Sequence, residues 1–328
     1  MNHRSFTRRA TSAVAGLAVV ALAATGCGGG AESGGGADSG KTTTIRIGTL
    51  PIANAAAMYL GIQKGFYADE GLKVEPTVLQ GGNEIITGIV AGDYDFGFVG
   101  YIAAGVAVGK RVPICVATAS DAAGTSADDD FQVYVARGDS PINGPQDFAG
   151  KTLGINALGG VAEVMTKAAL DKEGVDSSSV KFIEVPFPEV PAAVAGGRID
   201  AGFTAEPFVT TVLDQGGKVV FAPQSDLGAN YPNGSYATSQ QFYKSNSDVI
   251  KRFDSAMTKS LEYARDDPDA VRKIIPTYTK IPPEVASRMR LPVFTTDLDK
   301  AAIDEQMGFL KKYGLVGKAP SADHLICG

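Results

Sequence analysis

Histidine is nearly missing from this chain. His3 sits at the extreme N-terminus and His324 near the C-terminus, with none between. That removes His-based triads, His-rich metal sites and most imidazole acid–base schemes. Cysteine is as scarce: Cys27, Cys115 and Cys327, with no Cys-x-x-Cys. No Gly-x-Ser-x-Gly elbow occurs. The run ending Gly150-Lys151-Thr152 resembles a phosphate loop, but Gly144 is one residue too far away and the segment opens a strand rather than a helix. Asp128-Asp129-Asp130 lacks EF-hand spacing and reads as a solvated loop. Nothing here calls for a metal or a cofactor. An enzyme could be built only on Asp and Glu, as an extracellular hydrolase.

Positive charge is thin. The chain carries −6, and the first 26 residues hold three arginines and no acid, which leaves −9 on the remainder. With no basic run, it is not a nucleic-acid binder. After the N-terminal region no apolar stretch approaches the roughly 20 residues needed to cross a bilayer.

The N-terminal region reads as an address. Arg4, Arg8 and Arg9 precede an apolar run from Ala13 to Ala24, then Leu22-Ala23-Ala24-Thr25-Gly26-Cys27. Small residues before a cysteine resemble the lipobox of bacterial lipoprotein signal peptides. That resemblance implies removal of residues 1–26 and a lipid on Cys27. Residues 27–41 are almost all Gly, Ser, Ala and acid, and so form a flexible tether. The expected location is the outer face of the cell membrane, held by the lipid alone. Cys115 and Cys327 then remain as an even pair in an oxidising compartment, so a disulfide between them is possible, as is Cys115 as a small buried hydrophobe.

One stretch organises the body, and it occurs twice. Ala91-Gly92-Asp93-Tyr94-Asp95-Phe96-Gly97-Phe98-Val99-Gly100 returns as Gly196-Gly197-Arg198-Ile199-Asp200-Ala201-Gly202-Phe203-Thr204-Ala205. Both share Gly, then Asp three residues on, then Gly-Phe. Each follows a helix-like segment and reads as a turn feeding a short buried strand. Around the first copy the pattern predicts strand Thr44–Leu50, helix Ala53–Lys64, strand Leu72–Leu79, helix Glu84–Ala91, a helix from Ala103 and strand Pro113–Thr118. Around the second it predicts strand Thr152–Asn156, helix Val161–Glu173, strand Lys181–Val185, helix Val190–Ala195, helix Phe208–Leu213 and strand Lys218–Phe221. Phe131–Ala136 and Tyr236–Phe242 would cross between the halves. Four helices would follow: Asp248–Arg265, Pro268–Ile275, Pro283–Arg290 and Leu298–Tyr313. The expected fold class is α/β, with two mixed, mostly parallel sheets in two lobes. Lobe 1 would span 42–133 and 238–328, and lobe 2 would span 134–237.

Gly65-Phe66-Tyr67-Ala68-Asp69-Glu70-Gly71-Leu72-Lys73-Val74-Glu75 resembles the early signature of solute-binding proteins of ABC importers, in the nitrate/sulfonate/taurine branch. Ala91–Gly100, Asp147–Ile155, Gly197–Ala201 and Glu206-Pro207 are similar to that family's later blocks, in family order. The resemblance implies a two-lobed periplasmic-binding (type II-like) fold with two hinge strands. It also implies a non-enzymatic receptor, a monomer, that hands a small-molecule ligand to an ABC permease served by a separate ATPase. A ligand-sensing module uncoupled from transport stays open. Carried over by position, the ligand-binding residues would be Ile52, Asn54, Gln80, Gly81, Gly82, Asn83, Gly100, Tyr101, Ser120, Asn156, Gly159, Gly160, Thr204 and Glu206. Tyr101 would stack on the ligand and Glu206 would meet a ligand donor. The lack of Lys and Arg in these loops argues against a small bare anion such as nitrate. An amino-sulfonate, a pyrimidine or an aromatic acid remain open.

Overall fold

The computed structural model describes residues 42–328. The signal region, the tether and Cys27 lie outside the described residues. The chain opens with β1 (Thr43–Thr49), α1 (Ala56–Lys64), α2 (Phe66–Asp69), β2 (Leu72–Val78), α3 (Gly82–Ala91), β3 (Phe96–Gly100), α4 (Tyr101–Gly109) and β4 (Ile114–Ala122). Ile45 and Ile47 alternate inward along β1 and are fully buried, which is why this short run pairs rather than coils. The second half follows as β5 (Gln132–Ala136), β6 (Thr152–Ile155), α5 (Val161–Lys172), β7 (Lys181–Glu184), α6 (Val190–Ala195), β8 (Ala201–Ala205), α7 (Phe208–Asp214), β9 (Lys218–Phe221) and α8 (Pro223–Leu227). The chain then returns as β10 (Pro232–Ser239), α9 (Gln240–Ser245), α10 (Ser247–Asp266), α11 (Pro268–Ile274), α12 (Pro283–Ala286), β11 (Val293–Phe294), α13 (Lys300–Lys312) and α14 (Ala322–Leu325).

The two sheets share one plan. The first runs β11-β4-β10-β3-β1-β2 and the second β7-β6-β8-β5-β9. In each, three parallel strands are followed by one antiparallel strand that the chain enters directly after crossing between the sheets. In the first sheet this is β10, between β3 and β4; in the second it is β5, between β8 and β9. The repeated stretch occupies equivalent central strands, β3 and β8. Its glycines Gly92 and Gly197 take positive φ (79° and 68°), a conformation that spares the cost a side chain would meet. Its aspartates make matching bonds. Asp95 accepts from Arg46 N at 2.8 Å while donating its own N–H to Arg46 O; Asp200 does the same with Thr152 at 2.8 Å.

The joins between sheets differ from expectation. The sequence places the crossings at Phe131–Ala136 and Tyr236–Phe242, yet β5 lies wholly in the second sheet and β10 wholly in the first. The crossing segments are 123–131 and 222–231. They bond to each other through Ala123 N to Tyr231 O (2.9 Å) and Asn230 N to Gly124 O (3.2 Å). The return to the first sheet thus comes at Pro232, some residues before 238. The third expected C-terminal helix shrinks to the single turn α12, after which the chain pairs as β11 with β4.

α10 buries Val249, Phe253, Ala256, Met257, Leu261 and Ala264, the stripe a 3.6-residue period places on one face. Phe253 stacks on Phe96 of β3 with ring centres 3.8 Å apart. Cys115 and Cys327 form a disulfide, with Cα atoms 5.0 Å apart, that fastens the C-terminus to β4. Cys327 N also donates to Val116 O at 2.9 Å. Asp130, expected in a solvated loop, is fully buried and accepts from Gln132 N at 3.1 Å; only its neighbours Asp128 and Asp129 are exposed.

Candidate ligand-binding cleft

Strand ends and helix starts from both lobes surround one small cavity of about 50 Å³. From the first lobe come Leu50 and Ile52 after β1, Gly82 and Asn83 opening α3, and Phe98, Val99 and Gly100 running into α4. From the second come Gln132 at the start of β5, Asn156, Gly160 and Val161 leading into α5, and Phe187 and Phe203. Asn233, at the start of β10, closes the wall.

The N-termini of α3, α4 and α5 all reach this cavity, and none is capped by a side chain. The caps are Gly81, Gly100 and Gly160. In two of the three, a glutamate in the first turn turns back to grip the loop before the cap: Glu84 Oε2 accepts from Gln80 N (3.2 Å) and Glu163 Oε2 from Gly159 N (2.8 Å). This resembles the backward half of a capping box, displaced one residue upstream of the cap. The forward half is absent, so the first N–H groups of these helices stay open toward the cavity, where the positive end of each helix dipole lies. Gly100 is required for a second reason. A Cβ there would collide with Val161 Cγ2 of the other lobe, so the lobes approach at their present distance only because it has none.

Charge is absent from the lining. The polar side chains are the carboxamides of Asn83, Gln132, Asn156 and Asn233, set among Leu50, Ile52, Phe98, Val161, Phe187 and Phe203. Asn233 is spent within the protein: its Nδ2 donates to Asp121 Oδ1 (2.7 Å) and its Oδ1 accepts from Gln224 Nε2 (2.9 Å). Gln132 is not. It is 6% exposed, its side chain bonds to no protein group, and its Oε1 is buried.

Of the residues singled out in the sequence, Ile52, Gly82, Asn83, Gly100, Asn156 and Gly160 line this cavity. The others stand elsewhere. Asn54 is fully buried and donates to Asp121 Oδ1 at 2.6 Å. Gln80 and Gly81 precede the lining, and Gly159 (φ 68°) supplies the turn before α5. Ser120 lies inside β4 and Thr204 inside β8, both fully buried. Tyr101 is 1% exposed, and its ring lines a different cavity, beside Asp121, Thr295 and Asp297. As the first residue of α4 it follows the glycine whose backbone meets the cleft, and its side chain leaves on the other side. Glu206 is fully buried and already satisfied. Its carboxylate accepts from Thr210 N (3.0 Å), Thr210 Oγ1 (2.9 Å) and Arg290 N (3.2 Å), and burial raises its pKa. A ligand donor would have to displace these bonds, so the stacking Tyr101 and donor-seeking Glu206 expected from sequence are both corrected.

Sequence reasoning missed Gln132, Asn233, Phe187 and Phe203. Phe203 belongs to the repeated stretch, and its counterpart Phe98 lines the cavity too, which is a signal the duplication offered. Gln132 and Asn233 stand at the starts of the two strands that follow the crossing segments, and nothing local marks them.

A family model described as NMT1/THI5 like matches residues 52–271. The chain belongs to the NMT1/THI5-like family. Among its relatives is the phosphate-import protein PhnD of Mycolicibacterium smegmatis, 31% identical over 235 residues, covering 66% of this chain and 71% of that protein. Solved structures with the same fold include the alkanesulfonate-binding protein SsuA from Xanthomonas axonopodis pv. citri bound to MOPS (16% identity, 86% of this chain and 96% of that one, TM-score 0.70). Another is the periplasmic nitrate-binding protein NrtA from Synechocystis PCC 6803 (16% identity, 84% and 82%, TM-score 0.68). At such identities these two speak for the fold. It is the two-lobed periplasmic-binding fold, as the resemblance in the sequence implied, and in this NMT1/THI5-like chain the cleft lies at the carboxyl ends of strands from both sheets.

Proposed function

We propose that this protein is the solute-binding component of an ABC-type importer and that it captures a small oxyanion-bearing solute between its lobes without chemical change. The observation that carries the reading is the convergence of three uncapped helix N-termini on a charge-free cavity that also holds an unpartnered, buried carboxamide. Helix N-termini hold anions through oriented N–H groups without needing a cation. Phosphate, alkanesulfonate and nitrate, named for the relative and the two neighbours, are all oxyanions. The absence of Lys and Arg, which from sequence argued against a bare anion, is therefore offset by backbone donors.

Lobe 2 (about 132–221) closes on lobe 1 (about 42–122 and 232–328) through the crossing segments, and the closed form docks on a permease served by a separate ATPase. Across the lobes, Arg288 Nη2 meets Asp214 Oδ2 at 2.8 Å, Lys312 Nζ meets Asp171 Oδ2 at 2.7 Å, and Tyr313 donates to the same oxygen at 2.8 Å. Ala53 N donates to Glu206 O at 2.9 Å. These bonds form only when the lobes are shut, and ligand contacts to both sides shift the balance toward them. The protein acts as a monomer, anchored at the outer membrane face by lipid on Cys27.

Calorimetric titration with methylphosphonate, methanesulfonate and nitrate, followed by mass spectrometry of the recovered ligand, tests this. Saturable binding with ligand returned intact is expected. No binding of any oxyanion would overturn the ligand class, and a hydrolysed ligand would favour the carboxylate hydrolase. Cys27→Ser is expected to release the protein from membranes and to abolish the lipid mass on the N-terminal peptide.

A further inference from the structure

We infer that Gln132 is the specificity-determining residue of the cleft and that it selects a protonated oxyanion monoanion, a hydrogenphosphonate or dihydrogenphosphate, over a sulfonate of similar size and the same charge. The inference rests on the oxyanion reading above and adds to it which oxyanion. Gln132 is 6% exposed, lines the cavity and makes no side-chain hydrogen bond within the protein. Its backbone N–H is held by Asp130 Oδ1 at 3.1 Å at the first position of β5. Of the other lining carboxamides, Asn233 already has both ends occupied by Asp121 and Gln224, Asn83 is exposed, and Asn156 is only half-buried, so that Gln132 alone is buried with a polar atom unpaired.

A carboxamide presents a donor and an acceptor side by side. A sulfonate carries acceptors only. It satisfies the NH₂ group and leaves Oε1 buried and unpaired, which is the costly outcome for a polar atom. A singly ionised phosphonate carries P–O and P–OH on one atom, and so pairs with both ends of the amide at once. The single charge also suits a lining without cations, where three helix ends supply only partial positive charge. Discrimination by an unpaired buried group is large compared with discrimination by size alone.

The test is calorimetric titration of methylphosphonate and methanesulfonate below the second ionisation of the phosphonate, where both are monoanions. The wild-type protein is expected to favour methylphosphonate by about tenfold or more. Gln132→Leu and Gln132→Met are each expected to narrow that gap to about twofold, and either variant suffices if the other does not fold. Raising the pH through the second ionisation is expected to weaken methylphosphonate and leave methanesulfonate unchanged. Equal affinities in the wild type, or a gap that survives both variants, would overturn the role of Gln132 and leave the oxyanion cleft standing. Failure of both probes, and of inorganic phosphate, would remove the oxyanion reading and this inference with it.

Discussion

Asn233 Nδ2 donates to Asp121 Oδ1 across 2.7 Å, which ties a wall of the cleft to the end of strand β4. Asn54 Nδ2 reaches the same oxygen at 2.6 Å. One carboxylate thus joins the loop after β1, the end of β4 and the start of β10, beside the segments on which the lobes turn.

That carboxylate gives the protein an unusual pH response. Burial pushes Asp121 up to about 6, against the bonds from Asn233 and Asn54, and burial likewise carries Asp130 to about 6. A folded-state pKa above the unfolded value means that stability is fully present below about pH 4 and is lost as pH rises through about 6. Each group contributes about 3 kcal/mol at most, and the raised Glu206 acts in the same direction. Thermal melts should therefore show a higher Tm at pH 5 than at pH 7. Asp121→Asn should remove part of that difference, and an unchanged pH profile in the variant would exclude Asp121 as its source.

Glu206 braces the second lobe against the segment after α12. Glu206→Ala strands the N–H groups of Thr210 and Arg290 and should cost about 2–4 kcal/mol of stability in urea denaturation. Unaltered stability with lost ligand binding would instead return Glu206 to the binding site.

Gly100 sets how closely the lobes meet. Gly100→Ala drives a methyl group into Val161 and should weaken ligand affinity by about 1–3 kcal/mol through poorer closure, with little change in the stability of the ligand-free protein. Adding Val161→Ala should recover part of the loss in the same titration, and a double variant no better than Gly100→Ala would show that the clash is elsewhere.

The Cys115–Cys327 bond closes a loop spanning 212 positions. Replacing both residues with serine should lower unfolding stability by about 2–5 kcal/mol, with ligand affinity unchanged. Equal denaturation midpoints for the wild type and the variant, both oxidised, would count against a stabilising role.

Much of the architecture could be read directly because its signals are local. Gly92 and Gly197 need positive φ, apolar runs between glycines make buried strands, and the two copies lie about a hundred residues apart in matching surroundings. The helices α1, α3, α5 and α10 are legible from their sequence patterns, α1 also from its glycine stop at Gly65, and the cleft's glycines from their place after strands. What could not be read is which way a side chain leaves a helix's first turn, so Tyr101 was placed in the cleft although its ring packs beside Asp121 and Asp297. Nor could Glu206 be known to be occupied, since Arg290 approaches it from 84 positions away.

By itself, then, the sequence determined two sheet-and-helix halves, their order and the loops that face each other, because turn chemistry and hydrophobic period act over a few residues. Only the tertiary structure decided that Gln132 and Asn233 stand in the cleft and that its acids do not. Each of those two residues stands at the start of a strand that enters its sheet antiparallel directly after the chain crosses between the lobes. The surroundings of a residue so placed come from distant parts of the chain, and burial there sets which polar groups are paired and which are left for a ligand.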